Sequence, residues 1–265
     1  MDALAAPAPV PVTVDANLER RFNGLRRLYG DAGYARIRAA RFAVVGLGGV
    51  GSWCAEAVAR SGVAAVTLID LDHGAESNIN RQVQALGATL GQSKVQALRE
   101  RIADIHPGCE VLGVEEFVDA GNWPMLLPGP VDAVVDACDQ VRAKAVIAAW
   151  ALRTHGTLVI AGAAGGKRQP HAVQVEDLGL VTHDPLLAAL RNRLRKDFGA
   201  ARVGKIGVRC VFSREAVAPP DESCSVDGAG DGSLNCSGYG SSVVVTATFG
   251  LVAASLAIES LLARQ

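Results

Sequence analysis

The run Gly46-Leu47-Gly48-Gly49-Val50-Gly51 follows an apolar strand-like segment and precedes an Ala-rich helical one beginning near Ser52. Glycines in that order suit a phosphate-binding turn: Gly46 permits the tight turn, Gly48 lets backbone approach a phosphate, and Gly51 lets helix and strand pack closely. Gly-rich turns also occur simply as packing devices, so the flanking strand and helix carry the argument. Asp70 closes the next apolar run at the roughly 20-residue spacing of a ribose-hydroxyl acceptor, although an aspartate there can equally cap a turn, as can Asp72. A redox dinucleotide would need little more. The residues that follow, Ser77-Asn78-Ile79-Asn80-Arg81-Gln82 and Gly91-Gln92-Ser93-Lys94, instead offer two cations and a polar clamp downstream of the turn. Attack at a phosphorus atom builds charge on the phosphoryl oxygens, and positioned Arg and Lys side chains stabilise it. Arg81 and Lys94 suit that task, with Asn78 beside them, whereas each alone would read as a solvated surface group.

Asp136-Ala137-Cys138-Asp139 ends a further apolar run, at the carboxyl edge where open α/β sheets bind ligands. Asp139 is a candidate magnesium ligand, since that hard cation is commonly held by one or two carboxylates plus phosphates; Asp136 is a lesser one. The competing reading is a helix N-cap before Val141. Six cysteines (Cys54, Cys109, Cys138, Cys210, Cys224, Cys236) include no C-x-x-C pair, so they read as free thiols in a reducing compartment rather than a zinc site. The five histidines show no metal-ligand spacing.

The elements that must position these groups alternate. A basic helix over Leu18–Arg38 leads to a strand over Arg41–Val45. Strands follow at Ala65–Asp70, Glu110–Val114, Val131–Asp136 and Thr157–Ala161, with helices at Gln92–Ile105 and Val141–Thr154. Runs such as FAVVG, AVTLID and TLVIAG suit strands buried on both faces, hence an α/β fold: a Rossmann-like, mostly parallel sheet flanked by helices. Later come strands at Ala172–Glu176 and Ile206–Phe212, expected to add in antiparallel fashion, and a helix near Leu186–Phe198. Residues 1–17 read as a disordered Ala/Pro-rich arm without a secretory signal. Residues 18–265 read as one domain, with a nucleotide-binding half at 41–161 and a substrate-facing half at 162–265. The apolar segment 240–263 approaches the length of a membrane span but is broken by Ser, Thr and Glu; a buried helix is the main reading and membrane association the alternative.

Composition bounds the whole: 265 residues, 26 Lys+Arg against 27 Asp+Glu, 49% hydrophobic and 20% charged. This excludes a disordered chain and a surface basic throughout. Aromatics at 5% argue against a broad base-stacking platform. A local basic strip remains: Arg191, Arg193, Arg195, Lys196, Arg202, Lys205 and Arg209, opposed in that span only by Asp197. It could neutralise RNA phosphates or simply solvate a helix face.

The segments VVGLGGVGSWCAEAVARSGV, LIDLDHGAESNINRQ, LGQSK and VVDACD resemble the ThiF-like adenylating superfamily of ubiquitin-activating and sulfur-carrier-activating enzymes. RRFNGLRRLYG, AGAAGGKRQP, HDPLLAALRNRLRKDFG, KIGVRCVFSREA and CSGYGSSVVVTATFGLVA narrow the likeness to the tRNA threonylcarbamoyladenosine dehydratase branch, from about Arg20 onward. The resemblance implies ATP at Gly46, Gly48, Gly49 and Gly51, ribose at Asp70, phosphates near Asn78, Arg81 and Lys94, and Mg²⁺ at Asp139. It implies a cytoplasmic homodimer in which an N-terminal-helix arginine of the opposite subunit reaches the phosphates. Gly24 stands where the family has that arginine, leaving Arg21 or Arg27 for the role. The implied reaction is ATP-dependent cyclising dehydration of a tRNA nucleoside through its adenylated carboxylate, with a tRNA partner and no membrane. Cys236 is implied as a candidate for covalent or sulfur-relay chemistry with a cysteine desulfurase or sulfur acceptor; Cys224 is a weaker candidate. The alternative is adenylation of the C-terminus of a ubiquitin-like sulfur carrier, disfavoured by the missing C-x-x-C pairs.

Overall fold

The computed structural model describes residues 17–219 and 239–263. Seven strands form one sheet: β1 (Arg41–Val45), β2 (Ala65–Ile69), β3 (Glu110–Val114), β4 (Ala133–Asp136), β5 (Leu158–Ala161), β6 (Val173–Asp177) and β7 (Arg209–Ser213), in the order β3-β2-β1-β4-β5-β7-β6. All neighbours pair parallel except the edge strand β6, which runs antiparallel to β7. The expected antiparallel addition is thus confined to β6, because β7 enters alongside β5 in the parallel sense.

Among the described residues, six α-helices flank the sheet: α1 (Leu18–Ala39), α2 (Gly51–Arg60), α3 (Lys94–Ile105), α4 (Val141–Thr154), α5 (Pro185–Asp197) and α6 (Val243–Ala263). Strand alternation sorts the core into two layers. Phe42, Val44, Val66, Leu68, Val135 and Val159 pack under α2, α3 and α6, while Ala43, Val45, Ile69, Val134 and Ile160 pack under α4 and α5. The α6 segment spends its apolar length on this core, with Val245, Phe249, Ala253, Ala257 and Leu261 buried. Gly250 is required there, since a Cβ would lie 2.4 Å from the Val50 carbonyl oxygen of α2. This is the buried-helix arrangement, although Val244 and Leu251 stay exposed.

The basic helix α1 is kinked at Gly30 (φ +71°). Its arginines satisfy carbonyls orphaned at other helix ends. Arg21 Nη1 donates to the carbonyls of Asp104 and Ile105, 2.6 Å each, and Arg36 donates to those of Leu261 and Leu262. Beneath α1 lies His106, 1% exposed, with Nε2 2.9 Å from Arg38 Nη1 and its ring edge-on to Phe22. Burial, then the Arg38 charge, hold its pKa below the ordinary value of 6.5. A depressed native pKa means the neutral form's stabilisation is whole above pH ~6.5 and shrinks as pH falls toward the native value. Thermal melts between pH 7.5 and 5 (a window set by the ~6.5 reference) should therefore show a steeper acid-side loss for the wild type than for His106→Gln. Parallel profiles for the two proteins would contradict this.

Candidate active site

Sheet order reverses direction between β1 and β4, so the chain leaves these strands toward opposite layers and opens a crevice at their carboxyl ends. Gly46 turns there with φ +82°, and a Cβ on it would sit 2.6 Å from the Cys138 amide nitrogen. A Cβ on Gly51 would lie 1.7 Å from the Gly46 carbonyl oxygen, so α2 begins flush against the strand end. Gly48 has open space where its side chain would be. No side chain caps α2 at Val50, which leaves its first turn available to an anion. Gly49 keeps room for Arg81 and Thr246, whose carbons stand 3.1–3.2 Å from a built Cβ.

A cavity of about 250 Å³ fills the crevice. One wall carries Gly46, Gly48, Gly49, Asp70, Arg81 and Lys94; Asp139 and Cys138 face it from the β4 end. Asp70 is 9% exposed and anchors the glycine turn, accepting from Leu47 N at 2.5 Å and Asp72 N at 2.8 Å. Burial raises its pKa despite the opposing pull of Lys94 and the two amides. The turn-capping role considered for Asp72 therefore belongs to Asp70. Asp72 is instead the partner of buried Lys94, with Nζ 2.6 Å from its Oδ2 and 4.0 Å from Asp70 Oδ1.

Arg81 Nη1 donates to Ser77 O (2.8 Å) and Asn80 Oδ1 (2.9 Å), and the guanidinium has no carboxylate partner among the described residues. Burial lowers its pKa from the usual arginine value. Asn78 does not line the cavity; its Oδ1 accepts from Ala75 N at 3.1 Å and holds the local turn. The asparagine that serves Arg81 is Asn80, whose Nδ2 also donates to Ser241 O ahead of α6.

Asp139 is half-buried and makes no hydrogen bond or ion pair among the described residues, as a carboxylate available to a cation requires. One free carboxylate beside a phosphate-binding turn fits magnesium, which takes its remaining ligands from phosphates and water. Asp136 does not line the cavity: it is fully buried, and its Oδ1 accepts from Lys144 Nζ at 3.2 Å and Cys138 N at 3.1 Å. Cys138 faces the cavity, but burial and then the Asp136 charge push its thiol well above the ordinary range, so it stays protonated.

Neither N-terminal arginine lines the cavity of its own chain. Arg21 is exposed and spends Nη1 on the α3 carbonyls, whereas Arg27 is exposed and has no partner among the described residues. Cys236 and Cys224 lie outside the described residues. Glu116, Phe117, Val118, the Gly162–Gly165 turn and Tyr239 complete the walls and were not singled out from sequence.

The basic strip does not form one surface. Arg193, Arg195, Lys196, Arg202 and Lys205 gather around the end of α5 and the loop beyond it. Arg209 falls on the other layer, because β7 alternation places it with Val211 under α6, where Nη1 lies 3.2 Å from Ser260 Oγ. Arg191 is half-buried and spends Nη1 on the carbonyls of Leu178 (3.2 Å) and Val181 (2.8 Å).

Residues 19–265 match the model of the ThiF family. The chain is 42% identical over 261 residues to the tRNA threonylcarbamoyladenosine dehydratase of Escherichia coli, covering 96% of this chain and 97% of that protein. It is 39% identical to the enzyme of the same name from Haemophilus influenzae, over 94% and 96% of the two chains. The crystal structure of the E. coli tRNA N6-threonylcarbamoyladenosine dehydratase in complex with ATP superposes with a TM-score of 0.85 at 41% identity, covering 95% of this chain and 98% of that one. With the family match over residues 19–265 and these relatives covering nearly the whole chain, this protein belongs to the ThiF family, in the branch that holds the tRNA threonylcarbamoyladenosine dehydratases.

Proposed function

We propose that the chain is an ATP-dependent tRNA threonylcarbamoyladenosine dehydratase. The observation that carries this reading is the pairing of Lys94 and Arg81, one buried and one without a counterion, beside an uncapped helix start at a glycine turn. A carboxylate is a poor electrophile, since its leaving group would be oxide. When the threonyl carboxylate oxygen bonds to the α-phosphorus of ATP, the bond to the β-phosphate oxygen breaks and pyrophosphate leaves. The ureido group on the same nucleoside then attacks the acyl carbon, the carbon–oxygen bond breaks, and AMP departs with one former carboxylate oxygen. The proton lost on closure passes to solvent, and the nucleoside has lost the elements of water. Closure within one substituent needs orientation and dryness more than an enzyme nucleophile.

In this scheme Lys94 and Arg81 stabilise charge on the phosphoryl oxygens. Gly46, Gly48, Gly49 and Gly51 admit the phosphates to the α2 N-terminus, and Asp70 receives the ribose. Asn78 acts only through the turn it caps. Asp139 would hold Mg²⁺, which supplies charge neutralisation at the phosphates when bound. Residues 18–265 work as one cytoplasmic unit and as a homodimer, with Arg27 the arginine free to reach across to the opposite subunit. The α5-end cluster of Arg193, Arg195, Lys196, Arg202 and Lys205 supports salt-dependent tRNA binding.

The test is incubation with ATP, Mg²⁺ and threonylcarbamoylated tRNA, followed by nucleoside digestion and mass analysis. A nucleoside lighter by one water, formed in step with AMP, is expected. AMP formation that requires an added sulfur-carrier protein would overturn the reading. Cys236→Ser should retain most of the activity, because closure uses no thiol; a folded variant with no turnover would demand a covalent step.

A further inference from the structure

A second cavity, of about 380 Å³, adjoins the first and shares two walls with it, Pro185 and Val217. Its other sides are formed by the 181–184 segment, Arg191 and Ala216. Its charged lining residues are one cation, Arg191, and one carboxylate, Asp184. The groove's carboxylate, Asp184, is held by one amide at each oxygen: Oδ1 accepts from Leu187 N at 3.0 Å and Oδ2 from Ala163 N at 2.9 Å. Arg191 is unneutralised by any carboxylate among the described residues, and its Nη1 bonds to Leu178 O and Val181 O fix the guanidinium in the wall.

His183 stands at the rim, exposed, in the left-handed region at φ +60°. His155 shares that conformation, but there it ends α4, where a left-handed residue is ordinary. His183 ends no helix. Its backbone is clamped by Lys167, 2% exposed, whose Nζ reaches His183 O at 3.3 Å while binding Ser213 O (2.9 Å) and Glu215 O (2.8 Å). Strain held in place by its surroundings is a feature of binding sites. The same α5 face continues from Arg191 to Arg195 one turn further on, toward the basic cluster.

We infer that this groove binds the nucleotide next to the modified adenosine, with the His183 ring stacking on its base and Arg191 facing its phosphate. The inference rests on the reading above, in which the threonyl carboxylate of the modified nucleoside reaches the α-phosphorus of ATP in the first cavity. A polymer whose reacting residue reaches that cavity brings a neighbouring nucleotide to its mouth, and the groove across Pro185 and Val217 adjoins it there. Unpaired RNA bases are recognised by stacking on His and Arg planes, and flanking nucleotides set the selectivity of enzymes acting on a single base.

The experiment measures KM for threonylcarbamoylated tRNA, intact or with an abasic residue immediately before or after the modified adenosine. For the wild type, one abasic substitution should raise KM about ten-fold, as loss of one base stack would. His183→Gly tolerates the backbone angle and removes the ring. It should raise KM for intact tRNA about as much, leave KM for ATP unchanged, and respond no further to the abasic residue. His183→Phe should restore the wild-type pattern. A wild type indifferent to both abasic substitutions overturns the inference even if no variant folds. So does a His183→Gly enzyme that keeps the wild-type KM or the full abasic penalty. Absence of dehydrated nucleoside from wild type and intact tRNA would instead overturn the activity itself, and the groove assignment with it.

Discussion

Lys94→Ala should lower the rate of AMP formation by roughly 10²–10³-fold, the loss typical of one preorganised transition-state donor. The ammonium sits 2.6 Å from Asp72 and 4.0 Å from Asp70, inside the nucleotide crevice and almost shielded from water. A charge held there costs no reorganisation when the phosphoryl oxygens gain charge, so its removal falls on kcat more than on KM for ATP. Arg81→Ala should behave alike, since Asn80 and Ser77 aim its guanidinium without neutralising it. Removing the aiming partner is milder: Asn80→Ala leaves the charge but frees its direction, and the deficit should be smaller than for Arg81→Ala. Quenched-flow measurement of AMP in the first turnover checks all three. Near-wild-type bursts from both cation variants would remove the phosphoryl assignment.

Lys144→Ala should cost about 3–5 kcal/mol of stability, the range for stranding a buried charge. Lys144 and Asp136 are both fully buried, and Nζ reaches Asp136 Oδ1 (3.2 Å), Asp136 O (3.2 Å) and Ala161 O (2.9 Å). Burial, the largest single effect, lowers the lysine pKa, but the Asp136 charge and hydrogen bond, joined by Cys138 and Cys210, together outweigh it and the net shift is upward. The pair therefore ties the ends of β4 and β5 together beneath the Asp139 segment and the Gly162–Gly165 turn. Urea unfolding should show the loss as a lower midpoint. The double variant Lys144→Met with Asp136→Asn should recover much of it, because no lone charge remains. A single variant as stable as wild type would show that the pair is solvated in solution.

Buried runs with sharp ends were legible in advance. Arg41–Val45 and Val141–Thr154 stand where their apolar pattern places them, and the less buried edge strand Glu110–Val114 also falls where expected. The misses have local causes. The strand expected from Ile206 begins at Arg209, because Gly207 adopts φ +95° and the Asp177 carboxylate takes the Ile206 and Gly207 amides. Helix α1 was expected to be continuous, yet Gly30 kinks it. Within the site, the glycine turn and its cations could be read because they lie close in sequence. The partners that aim them could not: Asp72 for Lys94 and Asn80 for Arg81 are fixed by side-chain geometry rather than by type or spacing. The Glu116–Val118 and Gly162–Gly165 walls come from other strand ends, which only the sheet order brings to the crevice. Arg209 looked like part of one basic strip, and alternation along β7 sent it to the opposite layer.

Under the proposed function, Lys94 and Arg81 assist bond formation between a substrate carboxylate and phosphorus. Threonylcarbamoylated tRNA carrying heavy oxygen in both positions of the threonyl carboxylate tests it directly. AMP released on cyclisation should carry one heavy oxygen and the cyclic nucleoside should keep the other. Unlabelled AMP, with the missing heavy oxygen recovered in water, would contradict the account.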